Sequence, residues 1–266
     1  MMDGASNRLF QRVSLLWLLG FLLMALPGSE RLWLDPVSPA WFPPGPLRYF
    51  THALSGDVPE PLVVLSLAVL LILTAWQLFA HPRWWAWLLI WLLYVNLMNR
   101  AWMAGSGGQQ LMANALFWAC FLTLRSERAR FIGLWAIRLQ VLLAYWATGL
   151  HKLTGTHWLD GTALGIVATD HAFGPAWIAS FPLFAKGLTW LILFFQLGFP
   201  IAVWFSSART AWLIAGIAFH LATAFWMDIP EMGLAFIACY ALWLDDEHAA
   251  RLLRFATLSK RGSTLA

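Results

Sequence analysis

Charge is what this chain has least of. Asp, Glu, Lys and Arg make up 11% of its 266 residues, against 61% hydrophobic residues, about half the charged fraction of a soluble domain. A mean hydropathy of +0.67, with repeated apolar runs long enough to span a bilayer, excludes a soluble globular domain. Cysteine is nearly absent. Cys120 and Cys239 lie in separate apolar runs with no CxxC, so a disulfide framework, a thiol redox motif and a zinc knuckle are excluded, and both read as buried apolar cysteines. There is no Gly-rich phosphate loop, no GxSxG and no HExxH. His157 with Asp160, and Asp170 with His171, lack metal-ligand spacing, so no metal site is expected. GSGG at 105–108 reads as a turn, and GTALG at 161–165 matches a helix-packing pattern that chance produces often. The excess of basic residues, a net charge of +4, is scattered over loop ends. It forms no patch interleaved with exposed aromatics, which sets nucleic acid aside.

What the chain has instead is tryptophan, 19 of them, many at the ends of apolar runs where a membrane interface holds them. The runs predict an all-α polytopic membrane protein of about eight transmembrane helices, at about 9–27, 61–80, 84–103, 109–124, 131–152, 187–205, 210–227 and 231–244. Arg8 and Arg12 before LLWLLGFLLMAL resemble the start of a signal peptide, but the segment reads as a retained first helix. With the N-terminus inside, the basic residues concentrate on inner segments, so both termini are expected in the cytoplasm and the protein in the cell (inner) membrane. Residues 1–266 read as a single domain with no internal repeat. Two external segments stand out. Residues 28–60 are Pro-rich, with Trp33, Trp41, Phe42, Tyr49 and Phe50 at headgroup level, and residues 153–186 read as interfacial or re-entrant helices capping the bundle. The tail, 247–266, opens on an amphipathic stretch (HAARLLRFATL) whose basic residues face anionic inner-leaflet lipid.

Polar groups at membrane depth are costly and mark either a site or an internal strut. Arg138, Tyr145 and Lys152 are spaced seven apart, so a helix sets them on one stripe, with Gln140 and His151 on its flank. Arg138 reads equally as a strut or a site residue. Lys152 reads as a site residue or as a lysine snorkelling to the interface. His220 sits mid-helix with no polar neighbour in sequence, so it requires a partner on another helix, as a structural histidine or as a metal ligand. Asn99, Arg100, Gln109, Lys152, Asp228 and Glu231 all fall toward the outer face, as one outward-facing polar cavity would require. Loop ends that are simply polar would give the same pattern.

RLQVLLAYWATGLHKLTGTHWLDGTAL, from Arg138 to Leu164, carries R-x-Q, then Y-x-x-x-G-h-x-K-L, then W-x-x-G. In that order the stretch resembles the signature of the HTTM membrane-domain family, which includes vitamin K-dependent gamma-carboxylase. The block FFQLGFPIAVWFSSARTAWLIAGIAFHLATAFWM and the apolar helix after it resemble the family's next segment, so the likeness runs from about Asn96 to Leu244. It implies an enzyme, a carboxylase-like lyase that oxidises a quinol, with a reduced quinone as cofactor. Lys152 would be the base, Tyr145 and Arg138 would orient it, and His220 and Gln140 would support it. Arg100, His151 and Trp158 would line the ligand cavity. The chain departs from the carboxylase in having Arg100 where a histidine is found, His151 in place of a lysine, Gln196 where an acid is common, and no large external domain. What carries over is therefore a fold and a cavity for a quinol-like or lipid-soluble ligand. Membrane lipid, partner membrane proteins and a secreted peptide are the partners this leaves open. The competing class is a non-catalytic membrane subunit or assembly factor. A transporter ranks last, since inverted halves and paired broken helices are missing.

Overall fold

The computed structural model describes residues 4–35, 46, 48–55, 58–170 and 172–262, with the backbone alone for 256–262. Trp41, Phe42 and His171, named above, lie outside the described residues. Among the described residues the chain is all helical, with no strand: α1 (Ala5–Ala25), α2 (Arg48–Thr51), α3 (Glu60–Phe79), α4 (Trp84–Arg100), α5 (Gly107–Leu122), α6 (Glu127–Lys152), α7 (Thr156–Leu159), α8 (Ala163–Val167), α9 (Pro182–Ala202), α10 (Ser206–Trp226), α11 (Pro230–Tyr240) and α12 (Asp246–Gly262). Each apolar run of the sequence coincides with one of these helices, its ends displaced by about a turn. Five of them, Ala5–Gly28, Glu60–Phe79, Glu127–Lys152, Pro182–Ala202 and Ser206–Trp226, are long and apolar enough to cross a membrane.

Local chemistry sets the boundaries. Pro61 and Pro182 occupy the first turns of α3 and α9, where a missing N–H costs nothing. Ser106 caps α5, its hydroxyl accepting from the Gln109 N–H at 3.4 Å. Beyond α10, Asp228 takes φ +52°, a left-handed stop that the acidic side chain tolerates, and Pro230 starts α11.

The chain packs as two compact units. The first comprises residues up to Ile137 and from Leu244 onward, and the second runs from Arg138 to Trp243. In the first, α1 packs on α3, α5 and α12, and α4 lies against α3 and α5. Phe10, Leu18, Leu70, Trp87 and Met112 are fully buried there. The Asp246 carboxylate accepts from the Ser6 N–H at 3.0 Å, joining α12 to the start of α1. α6 meets α5 at Gly133, where a Cβ would stand 2.8 Å from the Trp118 carbonyl. In the second unit α10 and α11 are the most intimate pair. They close at Gly233, where any Cβ would overlap the His220 carbonyl oxygen.

Candidate ligand groove and the polar groups around it

The stripe on α6 becomes three separate constructions. Tyr145 is 1% exposed, and its hydroxyl meets both His220 Nε2 on α10 and the Tyr240 hydroxyl on α11. Two proton arrangements satisfy the contacts: Tyr240 donates to Tyr145, which donates to Nε2 of an imidazole protonated on Nδ1, or Nε2–H donates to Tyr145, which donates to Tyr240. Nδ1 has no hydrogen-bond partner among the described residues. The imidazole instead stacks on Phe236, centroids 4.4 Å apart and planes 9° from parallel. Phe199 and Phe195 pack on the Tyr145 ring at 4.7 and 5.5 Å. Such a closed aromatic shell makes this cluster a lock joining α6, α10 and α11. The partner that His220 required is thus Tyr145, with Tyr240 completing the set; Tyr240 was not singled out in the sequence, because a tyrosine near a helix end reads as an interfacial residue.

Arg138 is half-buried. Its Nε donates to the Leu242 carbonyl at 3.1 Å, a terminal nitrogen donates to the same oxygen, and the guanidinium lies 5.8 Å from the Trp243 ring centroid. Leu242 belongs to the 3-10 turn, Ala241–Trp243, that ends α11. Carbonyls there lack an intrahelical donor, so the arginine closes a helix end.

Lys152 ends α6, and its Nζ sits 4.7 Å over the Trp158 ring centroid; among the described residues the ammonium makes no hydrogen bond or ion pair. Lys186 repeats the arrangement on Trp190 at 4.9 Å. Two turns of helix, roughly 10 Å, separate Lys152 from Tyr145 along α6. His151 is exposed and Gln140 half-buried. The sequence stripe therefore brings Tyr145 to His220 and Lys152 to Trp158, and does not bring Lys152 to His220.

Arg100 is a member of the first unit. Only 6% exposed, it donates to the carbonyls of Trp33, Leu34 (3.1 Å) and Leu54 (2.7 Å). Asn96 Nδ2 donates to the Phe50 carbonyl at 2.7 Å, its Oδ1 accepts from the Leu54 N–H at 3.1 Å, and Asn99 Nδ2 donates to the Thr51 carbonyl at 2.8 Å. The end of α4 is a clasp for the 28–60 segment. His52 lies in it, 2.9 Å from the Thr51 hydroxyl through Nδ1, and burial pushes its imidazole below the ordinary value.

Residues 156–180 form a cap of short helices. Asp160 Oδ1 accepts from the Thr162 hydroxyl (2.6 Å) and N–H (2.8 Å), which hold its carboxyl below the usual range, with lesser help from His157 and Lys186. The α8 N-terminus is tied to α9 through the Thr189 hydroxyl, which accepts from the Leu164 N–H at 3.1 Å. Beneath the cap lies a groove of about 320 Å³, at the lower end of small-molecule sites. Its roof runs from Leu164 to Ile178, and its walls are Leu188, Leu191, Ile192 and Phe195 of α9 with Ala215, Ala218, Phe219, Ala222 and Trp226 of α10. Among the described residues the polar groups in the lining are the Trp226 indole N–H and the Thr223 hydroxyl, which donates to the Phe219 carbonyl at 3.1 Å. None of the residues singled out in the sequence lines it. The available signal was Ala215, Ala218 and Ala222, small residues on one face of α10 that leave room where a larger side chain would fill it.

This lining fits an apolar chain. A reduced quinone brings two hydroxyls that need partners once out of water; among the described residues the lining offers them the Thr223 hydroxyl and the Trp226 indole N–H, a donor only, against an otherwise apolar wall, and no step is derived through a quinol. Among the described residues no group of three or more His, Cys, Asp or Glu side chains could hold a metal ion. No protein-family model, curated protein or solved structure matches the chain.

Proposed function

We propose that this chain is a multi-pass protein of the cell membrane that holds the apolar chain of a lipid-soluble molecule in the groove beneath residues 164–178. The proposed topology has eight spans, α1, α3, α4, α5, α6, α9, α10 and the stretch Pro230–Trp243, with both termini cytoplasmic and residues 153–186 as an interfacial, re-entrant cap. The basic inner segments support that orientation. Helices of 17 and 16 residues, α4 and α5, are near the shortest that span a hydrocarbon core, about 17 residues.

The observation that carries the reading is the groove itself, roofed, apolar and sized for a small molecule. Likeness to HTTM proteins supports a lipid-soluble ligand. The base role that likeness implies for Lys152 requires an unprotonated amine facing the ligand, whereas an indole face attracts the charged ammonium. We therefore assign the groove to binding and Lys152 to anchoring the cap, the role a non-catalytic membrane subunit would also give it. Protein purified in mild detergent should carry an apolar molecule detectable by mass spectrometry of the organic extract. Ala218→Phe with Ala222→Phe should reduce its occupancy about tenfold, on the ~1.5–3 kcal/mol that burying an apolar side chain is worth. Unchanged occupancy in that variant would remove the groove from the function. Lys152→Arg should keep the ligand; loss of the ligand, or of a measured activity, in that variant would restore the catalytic reading.

A further inference from the structure

The groove beneath the cap is long, and its described polar side chains stand at one end. On α10 it follows Ala215, Ala218, Ala222 and Trp226, one face of the helix over about 16 Å. An apolar cavity of about 150 Å³ takes a six-carbon ring, so the groove's volume of about 320 Å³ takes roughly a dozen carbons. Spread over that length of helix, they form a single extended chain. Among the described lining residues the Thr223 hydroxyl and the Trp226 indole N–H belong to the last turn of α10. The far end, at Ala215 and Phe195, offers carbon alone: Phe195 is buried, with Phe219 at 5.3 Å and Trp212 at 5.8 Å between ring centroids. The polar end also carries an interfacial mark. Trp226 and Trp177 of the cap, both about half exposed, meet edge to face with centroids 6.4 Å apart, and Trp177 stacks on Phe184 at 5.8 Å; indoles gather where hydrocarbon gives way to water. Leu191 and Ala218, which line the groove between its ends, are exposed, so it is open along its flank.

We infer that the groove takes one acyl chain of about a dozen carbons, its tail against Phe195 and Ala215 and its carbonyl end at Thr223 and Trp226. This rests on reading the groove as a ligand site, and adds the class of ligand and its direction. The Trp226 indole N–H makes no hydrogen bond among the described residues and can only donate, so the polar end of the ligand must bring an acceptor oxygen, which an acyl carbonyl supplies next to its chain. The Thr223 hydroxyl, its proton given to the Phe219 carbonyl, keeps lone pairs for a donor on the headgroup. The reverse direction would bury the carbonyl beside Phe195 and Ala215, where no described side chain of the lining donates, and a buried polar group without a hydrogen bond is costly. The same chain is offered by a monoacyl lipid and by one leg of a diacyl phospholipid entering along the open flank.

The test uses the full chain in detergent micelles with two photoreactive dodecanoyl monoacylglycerols, one bearing a diazirine at the last carbon of the chain and the other close to the carbonyl, and locates the adducts by peptide mass spectrometry. The tail probe should label Phe195 or residues 215–219, and the head probe Trp226, Met227, Gly174 or Pro175. Both labels should fall about tenfold in Ala218→Phe with Ala222→Phe, which fills the groove. Thr223→Val with Trp226→Phe keeps the apolar wall and removes the polar end; labelling by the head probe should fall about fivefold, the worth of one hydrogen bond, while a dodecane bearing the same diazirine labels as before. Trp226→Phe alone, at a half-exposed position, serves if the pair fails to fold. A hexanoyl competitor should displace the tail probe at least tenfold less well than a dodecanoyl one, having fewer methylenes to bury, and an octadecanoyl competitor no better than the dodecanoyl. Displacement by a diacyl phospholipid as strong as by the dodecanoyl compound would uphold the site with bilayer lipid as its source. Two probes that label the same residues, or label in the reverse order, would overturn the inference while leaving the groove a ligand site, as would an octadecanoyl competitor tenfold better than the dodecanoyl. Labels that persist undiminished in the double phenylalanine variant would remove the groove itself, and the inference with it.

Discussion

Two cavities of nearly equal volume, about 320 and 340 Å³, have opposite linings, one in each unit. The groove under the cap is walled by alanine, leucine and phenylalanine, while the pocket at the start of α1 is walled by arginine, asparagine and glutamine. Volume therefore says little about what either holds. The difference lies in which side chains the surrounding fold turns toward each hollow. In the groove's unit Tyr145, His220 and Tyr240 close a cluster and Arg138 satisfies Leu242, and none of the four lines the groove. In the other unit one buried arginine, Arg100, is held by backbone carbonyls, while Arg8 and Arg125 stand exposed at the mouth of the pocket. An arginine acts as a strut when carbonyls surround it.

The contrast can be broken at its frame first. Gly233→Val should separate α11 from the back of α10, cost about 3 kcal/mol or more, and empty the groove. A variant that unfolds at the wild-type denaturant concentration would show that the α10–α11 contact is looser than described. Next, Arg100→Ala strips three carbonyls of their donor and should cost roughly 3 kcal/mol, against about 0.5 kcal/mol or less for exposed Arg125→Gln. Equal losses in urea titrations would erase the distinction between strut and exposed side chain. Tyr145→Phe should cost about 1–2 kcal/mol, and Tyr240→Phe added to it should cost less than the sum, since both remove the same bond. Strict additivity would separate the two hydroxyls.

The smallest effect is a difference in acid response, read by amide hydrogen exchange. The His52 imidazole is depressed below its ordinary value of 6.5 by burial, so its contribution is present above that value and fades as pH falls through the lowered one. Residues 48–55 should exchange faster on mild acidification. Asp160 is likewise depressed, by the Thr162 hydroxyl and N–H, but from the carboxylate range. The cap turn should hold through mild acid and loosen only at lower pH, so cap exchange that rises in step with His52 would contradict this ordering.

Helices were legible in the sequence because an apolar run of some twenty residues leaves few alternatives, and each run has its helix in place. That His220 needed a partner was legible from the cost of a lone imidazole; that the partner was Tyr145 followed only from packing. Arg100 could be seen as buried and polar, but its acceptors are backbone carbonyls of a Pro-rich segment, and a carbonyl belongs to every residue, so sequence carries no trace of which one is used. Which polar groups share a cavity was not legible, because depth along a helix says nothing of which helices are neighbours. The arginine pocket was hidden for a similar reason: Arg8, Arg125 and Arg130 come from two distant parts of the chain and read only as orientation charges.

The Arg100 clasp also imposes an order in time. The carbonyls of Trp33 and Leu34 precede their donor by 67 and 66 positions, so at about 5–20 residues per second of synthesis they wait roughly 3–13 s for it. During that interval α1 and α3 are already made, and the segment between them has nothing from α4 to hold it. The newborn protein passes through a stage in which the segment between α1 and α3 lacks its arginine clasp, and the emergence of one side chain ends it.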